Sequence, residues 1–200
     1  MANTTPTTNS LENYFLPFTA NKDFKKEPRL LDRGEGVYYW NHKGDQVIDA
    51  SSGLFCVPLG HGRKEIAEAV HQQLLKLDYS PSFQVSHLPA FSLAEKVAKL
   101  LPGDLNNVFF TICGSTAIDS AIKIIQAYQH AIGQSQRVRF VSRERAYHGV
   151  NIGGTSLSGM IKNREIFTAT MPGVIHLRHT WLDENKYTTV SYTHLRAHET

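Results

Sequence analysis

The chain has 200 residues, of which 41% are hydrophobic and 20% charged, and a formal net charge of +3 at pH 7. That is the composition of a globular chain of one or two domains, and a small, unclustered positive charge gives no nucleic-acid or membrane partner. No apolar run reaches the length of a membrane span, and the polar start MANTTPTTNSLENY lacks the regions of a secretory signal. The two cysteines, Cys56 and Cys113, sit among apolar residues, so buried free thiols in a reducing cytoplasm are expected.

Residues 1–10 are rich in Thr and Asn and read as disordered. Leu11–Ala20 is apolar and aromatic, and Pro17 argues against an unbroken helix there. Gly36–Trp40, a turn over Asn41–Asp45 and Gln46–Ala50 predict a hairpin. Ser51–Gly62 (SSGLFCVPLGHG) reads as an ordered loop of the kind that carries sites. Arg63–Leu77 has helical apolar spacing, Asp78–Leu88 is a loop, and Pro89–Leu101 is a helix closed by Pro102 and Gly103.

Asn107–Tyr128 (NVFFTICGSTAIDSAIKIIQAY) organises the rest. Val108, Phe109, Phe110 and Ile112 predict a strand buried on both faces. Cys113 and Gly114 break the run, and from Ser115 onward Ala117, Ala121, Ile124, Ile125 and Tyr128 fall at helical spacing. A turn between strand and helix points the amides of Ser115, Thr116 and Ala117 outward at the positive end of the helix dipole. It suits a phosphate, or equally an ordinary serine N-cap. Arg137–Val141 predicts a strand ending in Ser142–Gly149 (SRERAYHG). A Gly/Ser-rich loop over Val150–Gly159, a short helix over Lys162–Ala169 and a strand over Gly173–Leu177 follow. Alternating strands and helices indicate an α/β fold with a mainly parallel sheet, whose ligands sit beyond the strands' C-terminal ends. Gly114–Ser115 and Tyr147–Gly149 both lie there.

Val190–Thr200 (VSYTHLRAHET) resembles the in-frame translation of a sequencing-library adapter, so 190–200 is expected not to be native. His194 and His198 then carry no metal-binding meaning, and His176 and His179 are expected to be structural or solvent-facing.

These stretches together, from NYFLPFTANKDFK through IDASSGLFCVPLGHGRKEI, VFFTICGSTAIDSAIKI and RERAYHGVNIGG to MPGVIHLRHT, resemble the class III, omega-type pyridoxal-phosphate aminotransferases. The similarity is greatest to the omega-amino acid (beta-alanine):pyruvate branch. It implies a fold-type-I transferase, with 1–50 belonging to a small domain and 51–189 being part of a large cofactor-binding domain. It implies that Gly114, Ser115 and Thr116 cradle the phosphate of pyridoxal 5'-phosphate. Tyr147 would stack on its ring, with His148 and Gly149 completing that motif. Phe15, Leu16, Phe55 and Phe83, with Tyr147, would line the substrate pocket, Phe83 across a dimer interface. The implied partners are an amino donor and pyruvate, and a second copy of the chain in a homodimer or higher homo-oligomer.

Two departures from the family pattern stand out. Relatives usually read Asn-Ser-Gly-Ser-Glu where this chain has Ile112-Cys113-Gly114-Ser115-Thr116, and many carry tryptophan at the position of Phe55. No lysine here matches the family's Schiff-base position, so that lysine, the pyridinium carboxylate and the substrate-binding arginine are expected beyond Thr189. The 200 residues are then an inactive N-terminal fragment. The rival readings are a class III enzyme for 4-aminobutyrate or a diamine, and a nucleotide-binding oxidoreductase fragment. The second lacks G-x-G-x-x-G glycines.

Overall fold

Asn41 makes the turn on which the first sheet depends. Its Oδ1 accepts the N–H groups of Lys43 and Asp45, each at 2.9 Å, the side-chain turn that lets a short polar stretch reverse the chain. In the computed structural model, which describes residues 11–185, this turn joins β2 (Tyr38–Asn41) antiparallel to β3 (Gln46–Ile48), with Tyr38 opposite Ile48. The expected hairpin is therefore present. A strand not expected from the polar sequence LDRGE, β1 (Leu31–Glu35), pairs with the other edge of β2. Its Arg33 guanidinium lies 3.6 Å over the Trp40 ring, a contact worth about 0.5–1 kcal/mol at an exposed site.

Helix α1 (Asn21–Lys26) precedes the sheet, and the Asn21 side chain ties back to Leu16 by two 2.9 Å hydrogen bonds. After β3 the loop returns over the sheet, where Gly36 and His61 exchange backbone hydrogen bonds of 3.0 and 2.8 Å. Within that loop lies the one-turn segment α2 (Ser52–Phe55), followed by α3 (Lys64–Lys76) and α4 (Leu88–Ala98). The chain divides into two compact units between residues 90 and 91.

In the second unit, α5 (Gly114–Ala131) leads to β4 (Phe140–Arg143), α6 (Ile152–Leu157), α7 (Ile161–Arg164) and β5 (Val174–Leu177). β4 and β5 are parallel, with Phe140 opposite Val174 and Val141 opposite Ile175, as alternating elements predict. The core sits around α6, whose Gly153, Gly154 and Ser156 are buried and which packs on α5, β4 and β5. A Cβ at Gly153 would collide with the Asp119 carboxylate and the buried Ile122. Ser156 Oγ donates to the Ile152 carbonyl at 2.6 Å and accepts from the Met171 amide at 2.8 Å. His176 Nε2 lies 3.1 Å from the carbonyls of both Leu157 and Ser158, a structural role as expected.

Four expectations are corrected. Residues 107–112 form no strand, and Ile112 is 93% exposed. A strand exists only where a neighbour takes its backbone groups, and no described strand pairs with this run. The Gly/Ser-rich stretch 150–159 contains α6, because small residues let that helix approach α5 closely. Cys56 and Cys113 are free but exposed, not buried. The short helix expected over Lys162–Ala169 is confined to Ile161–Arg164. The readings of 190–200, with His194 and His198, lie outside the described residues.

Candidate functional site

Helix α5 begins with nothing negative in its first turn, so its positive end faces outward unneutralised. The Ala117 amide is not free as expected; it donates to the Cys113 carbonyl at 3.0 Å. Cys113 occupies the N-cap in extended conformation and shares a 3.1 Å hydrogen bond with Thr116 Oγ1. The Thr116 hydroxyl chiefly, then the amides of Thr116 and Ser115, hold the Cys113 thiol below its usual range against the opposing effect of burial. Donors at this helix end therefore already gather around an atom that can carry negative charge.

The second wall comes from the segment after β4. The Val150 amide donates to Ser115 Oγ at 3.0 Å across 35 residues of chain. That leaves the Ser115 hydroxyl proton available to a ligand. Gly149 sits at φ +110°, and a Cβ there would lie 2.5 Å from Ser115 Oγ and 2.7 Å from Ser115 Cα. Only glycine allows this approach. His148 Nε2 is 3.0 Å from Ser142 Oγ, which orients the ring toward β4. Tyr147 is 56% exposed. Gly114, Ser115, Thr116 and Gly149 are thus brought together by the fold. The hydroxyls of Ser115 and Thr116, two amides and a helix N-terminus fit a phosphate.

Phe15, Leu16, Phe55 and Phe83 belong to the first unit and are described within it. Phe15 and Phe83 are exposed, Leu16 is partly buried, and Phe55 is 85% exposed. Phe55 closes α2, where Ser52, Gly53, Leu54 and Phe55 all have positive φ, between 51° and 67°. A left-handed conformation costs roughly 1–2 kcal/mol for each residue bearing a Cβ, so something must hold it.

Asp49 and His61, which sequence reasoning passed over, supply that hold. Asp49 Oδ1 accepts from the Ser51 amide and hydroxyl, both at 3.1 Å, and Oδ2 accepts from the Gly53 amide at 2.7 Å and His61 Nε2 at 2.8 Å. Their side chains are 4% and 12% exposed respectively. The His61 bond is the main reason the Asp49 carboxyl lies below the usual carboxylate range. Tyr39 lays its ring 4.2 Å from that of His61, and its phenol is pushed up by burial first and Asp49 second. The available signal was an acid just before Ser-Ser-Gly, answered by Gly-His-Gly at the loop's far end.

Comparison with solved structures places this architecture in a class. An (S)-enantioselective omega-transaminase from Thermomicrobium roseum is similar at TM-score 0.86 and 34% identity, over 94% of this chain and 43% of that one. The omega-transaminase from Pseudomonas jessenii in complex with PMP is similar at TM-score 0.81 and 31% identity, over 86% of this chain and 38% of that one. The fold is that of the fold-type-I, pyridoxal-phosphate-dependent transferases. The profile of the family described as "Aminotransferase class-III" matches residues 19–197, and the chain belongs to that family.

Among curated relatives, the omega-amino acid–pyruvate aminotransferase of Pseudomonas putida is 48% identical over 88% of this chain and 39% of its own length. The beta-alanine–pyruvate aminotransferase of Pseudomonas aeruginosa is 49% identical over 86% of this chain and 38% of its own length. The chain therefore spans about two fifths of the relatives it matches. Family membership removes the oxidoreductase reading. Among the described residues no helix is long and apolar enough to cross a membrane.

Proposed function

We propose that this chain is the phosphate-gripping part of an aminotransferase that moves an amino group from an omega-amino acid or amine, such as beta-alanine, to pyruvate. The observation that carries the reading is the lock between Ser115, Gly149 and Val150 at the start of α5, in a chain whose named relatives act on such donors. Gly114, Ser115 and Thr116 would take the cofactor phosphate through amides and hydroxyls. Tyr147 would cover the ring face, and His148, tied to Ser142, would fix the approach of that segment. When bound, pyridoxal phosphate supplies an electron sink for the donor's C–N chemistry. Phe15, Leu16, Phe55 and Phe83, with Tyr147, would exclude water from the donor and select its shape.

The same reading places 1–50 in a small domain and 51–189 in the large one, with 190–200 foreign to both. The enzyme would work as a homodimer or higher homo-oligomer in the cytoplasm, where free cysteines persist. The lysine that holds the cofactor covalently would follow Thr189, so residues 1–200 alone would be inactive.

The test measures alanine formed from pyruvate, with beta-alanine, 4-aminobutyrate or putrescine as donor. The enzyme assayed carries residues 1–189 as its N-terminal portion, and residues 1–200 serve as the control. Turnover with beta-alanine in the long form and none in the control is expected. A preference for 4-aminobutyrate or putrescine would change the donor class, and turnover by the control would overturn the inactivity.

A further inference from the structure

We infer that Asp49 and His61 act together as a positioning pair that clasps the left-handed turn Ser52–Phe55 onto the three-stranded sheet and so sets where Phe55 stands toward the amino donor. The inference rests on the proposed pocket role of Phe55 and adds to it two residues that act through the turn carrying Phe55.

The geometry carries it. Asp49 follows β3 directly, and its own amide donates to the Val37 carbonyl at 2.9 Å, so its backbone is part of the sheet's edge. His61 is pinned at the far end of the loop by its paired bonds to Gly36. Gly34 of β1 leaves room for the imidazole, since a Cβ there would lie 2.9 Å from His61 Cγ. The sheet thus holds both ends of the loop, and the carboxylate of Asp49 bridges them. One oxygen faces His61 and the amide of Gly53, and the other faces Ser51. Gly53 lies in the middle of the left-handed turn, and a Cβ there would stand 3.3 Å from the Tyr39 hydroxyl and 3.0 Å from Val57 Cγ2. Two further bonds close the turn, Phe55 amide to Ser51 carbonyl at 2.9 Å and Val57 amide to Ser52 carbonyl at 2.8 Å. A conformation that three of these four residues disfavour intrinsically is therefore over-determined by a nearly buried carboxylate. Phe55 is carried out of it with its ring exposed.

Removing the carboxylate should release the turn while leaving β1–β3 in place, because the hairpin bonds do not involve Asp49's side chain. The experiment incorporates 4-fluorophenylalanine at position 55 of residues 1–200. It records the ¹⁹F resonance beside the backbone amide spectrum of β2 and β3. The wild type should show a dispersed ¹⁹F line. Asp49→Asn and Asp49→Ala should move it to the position of the free amino acid with the strand amides unchanged. His61→Ala should do the same and His61→Gln, which keeps a donor, should restore it in part. A wild-type line already at the free position, or an unmoved line in both Asp49 variants, overturns the clasp. If Asp49→Ala also loses the strand amides, the shape-conserving Asp49→Asn decides.

A second arm assays the aminotransferase that carries residues 1–189, with Asp49→Asn expected to raise the donor KM at least fivefold and kcat to stay within twofold. Phe55→Ala is its control. If Phe55→Ala moves the donor KM and Asp49→Asn does not, the positioning inference fails alone. If neither moves it, the pocket reading of Phe55 has failed and the inference with it.

Discussion

At the scale of single residues, the sharpest constraint is Gly149 against Ser115. Gly149→Ala places a methyl inside the contact radius of Ser115 and on a backbone that disfavours any Cβ. It should cost about 1–3 kcal/mol by overpacking, read as a lower urea midpoint for the second unit, and should abolish retention of pyridoxal phosphate. Tyr147→Ala, by contrast, removes a half-exposed ring. It should loosen the cofactor in dialysis while leaving circular dichroism unchanged, and a loss of folding instead would make Tyr147 a packing residue. Cys113 yields a pH prediction. Its thiol is held below the usual range chiefly by the Thr116 hydroxyl, so its thiolate forms at lower pH than that of an ordinary cysteine. In a Cys56→Ser background, iodoacetamide should alkylate Cys113 with a rate that rises at lower pH than for a free thiol. Thr116→Val should shift the profile back upward, and inorganic phosphate should slow the reaction.

At the scale of elements, the loop clasped by Asp49 should be acid-sensitive. The folded Asp49 carboxyl lies below its usual value, so its contribution to stability is complete above the unfolded pKa of about 3.9. That contribution is lost as pH falls through the lower, folded value. The stability of the first unit, followed by Trp40 fluorescence in urea, should fall on acidification with a component absent from Asp49→Asn. How legible these elements were follows from what makes each of them. Helix α5 was readable because its spacing encodes a face, and the hairpin because Asn41 and Gly44 encode a turn. The left-handed turn was not, because Ser52, Leu54 and Phe55 give no hint of positive φ when a carboxylate three residues earlier imposes it. Helix α6 was hidden by glycines that sequence rules count as loop formers and that packing against Asp119 and Ile122 requires. The meeting of Ser115 with the segment at Gly149 was legible, because both were expected beyond the C-terminal ends of the strands, whereas the exposed place of Cys113 at the N-cap was not.

At the scale of the whole molecule, the described residues leave much apolar surface open. Val141 and Ile175, opposite each other on β4 and β5, are both exposed, as are Phe109 and Ile112, although parallel sheets are normally covered on both faces. Residues 1–200 should therefore bind a hydrophobic dye such as ANS strongly in native buffer, and fluorescence no greater than that of a compact control protein would contradict the exposure. The bond from Val150 to Ser115 has a further consequence, in time. It joins residues 35 positions apart, as does the bond from Gly154 to Asp119. A ribosome adds about 5–20 residues per second, so the start of α5 leaves it roughly 2–7 s before its partners do. Through that interval the helix end waits unclosed beside the apolar run 107–112. The closing of this contact is thus a late event in the life of the nascent chain, and its first seconds are those in which a chaperone has the most to cover.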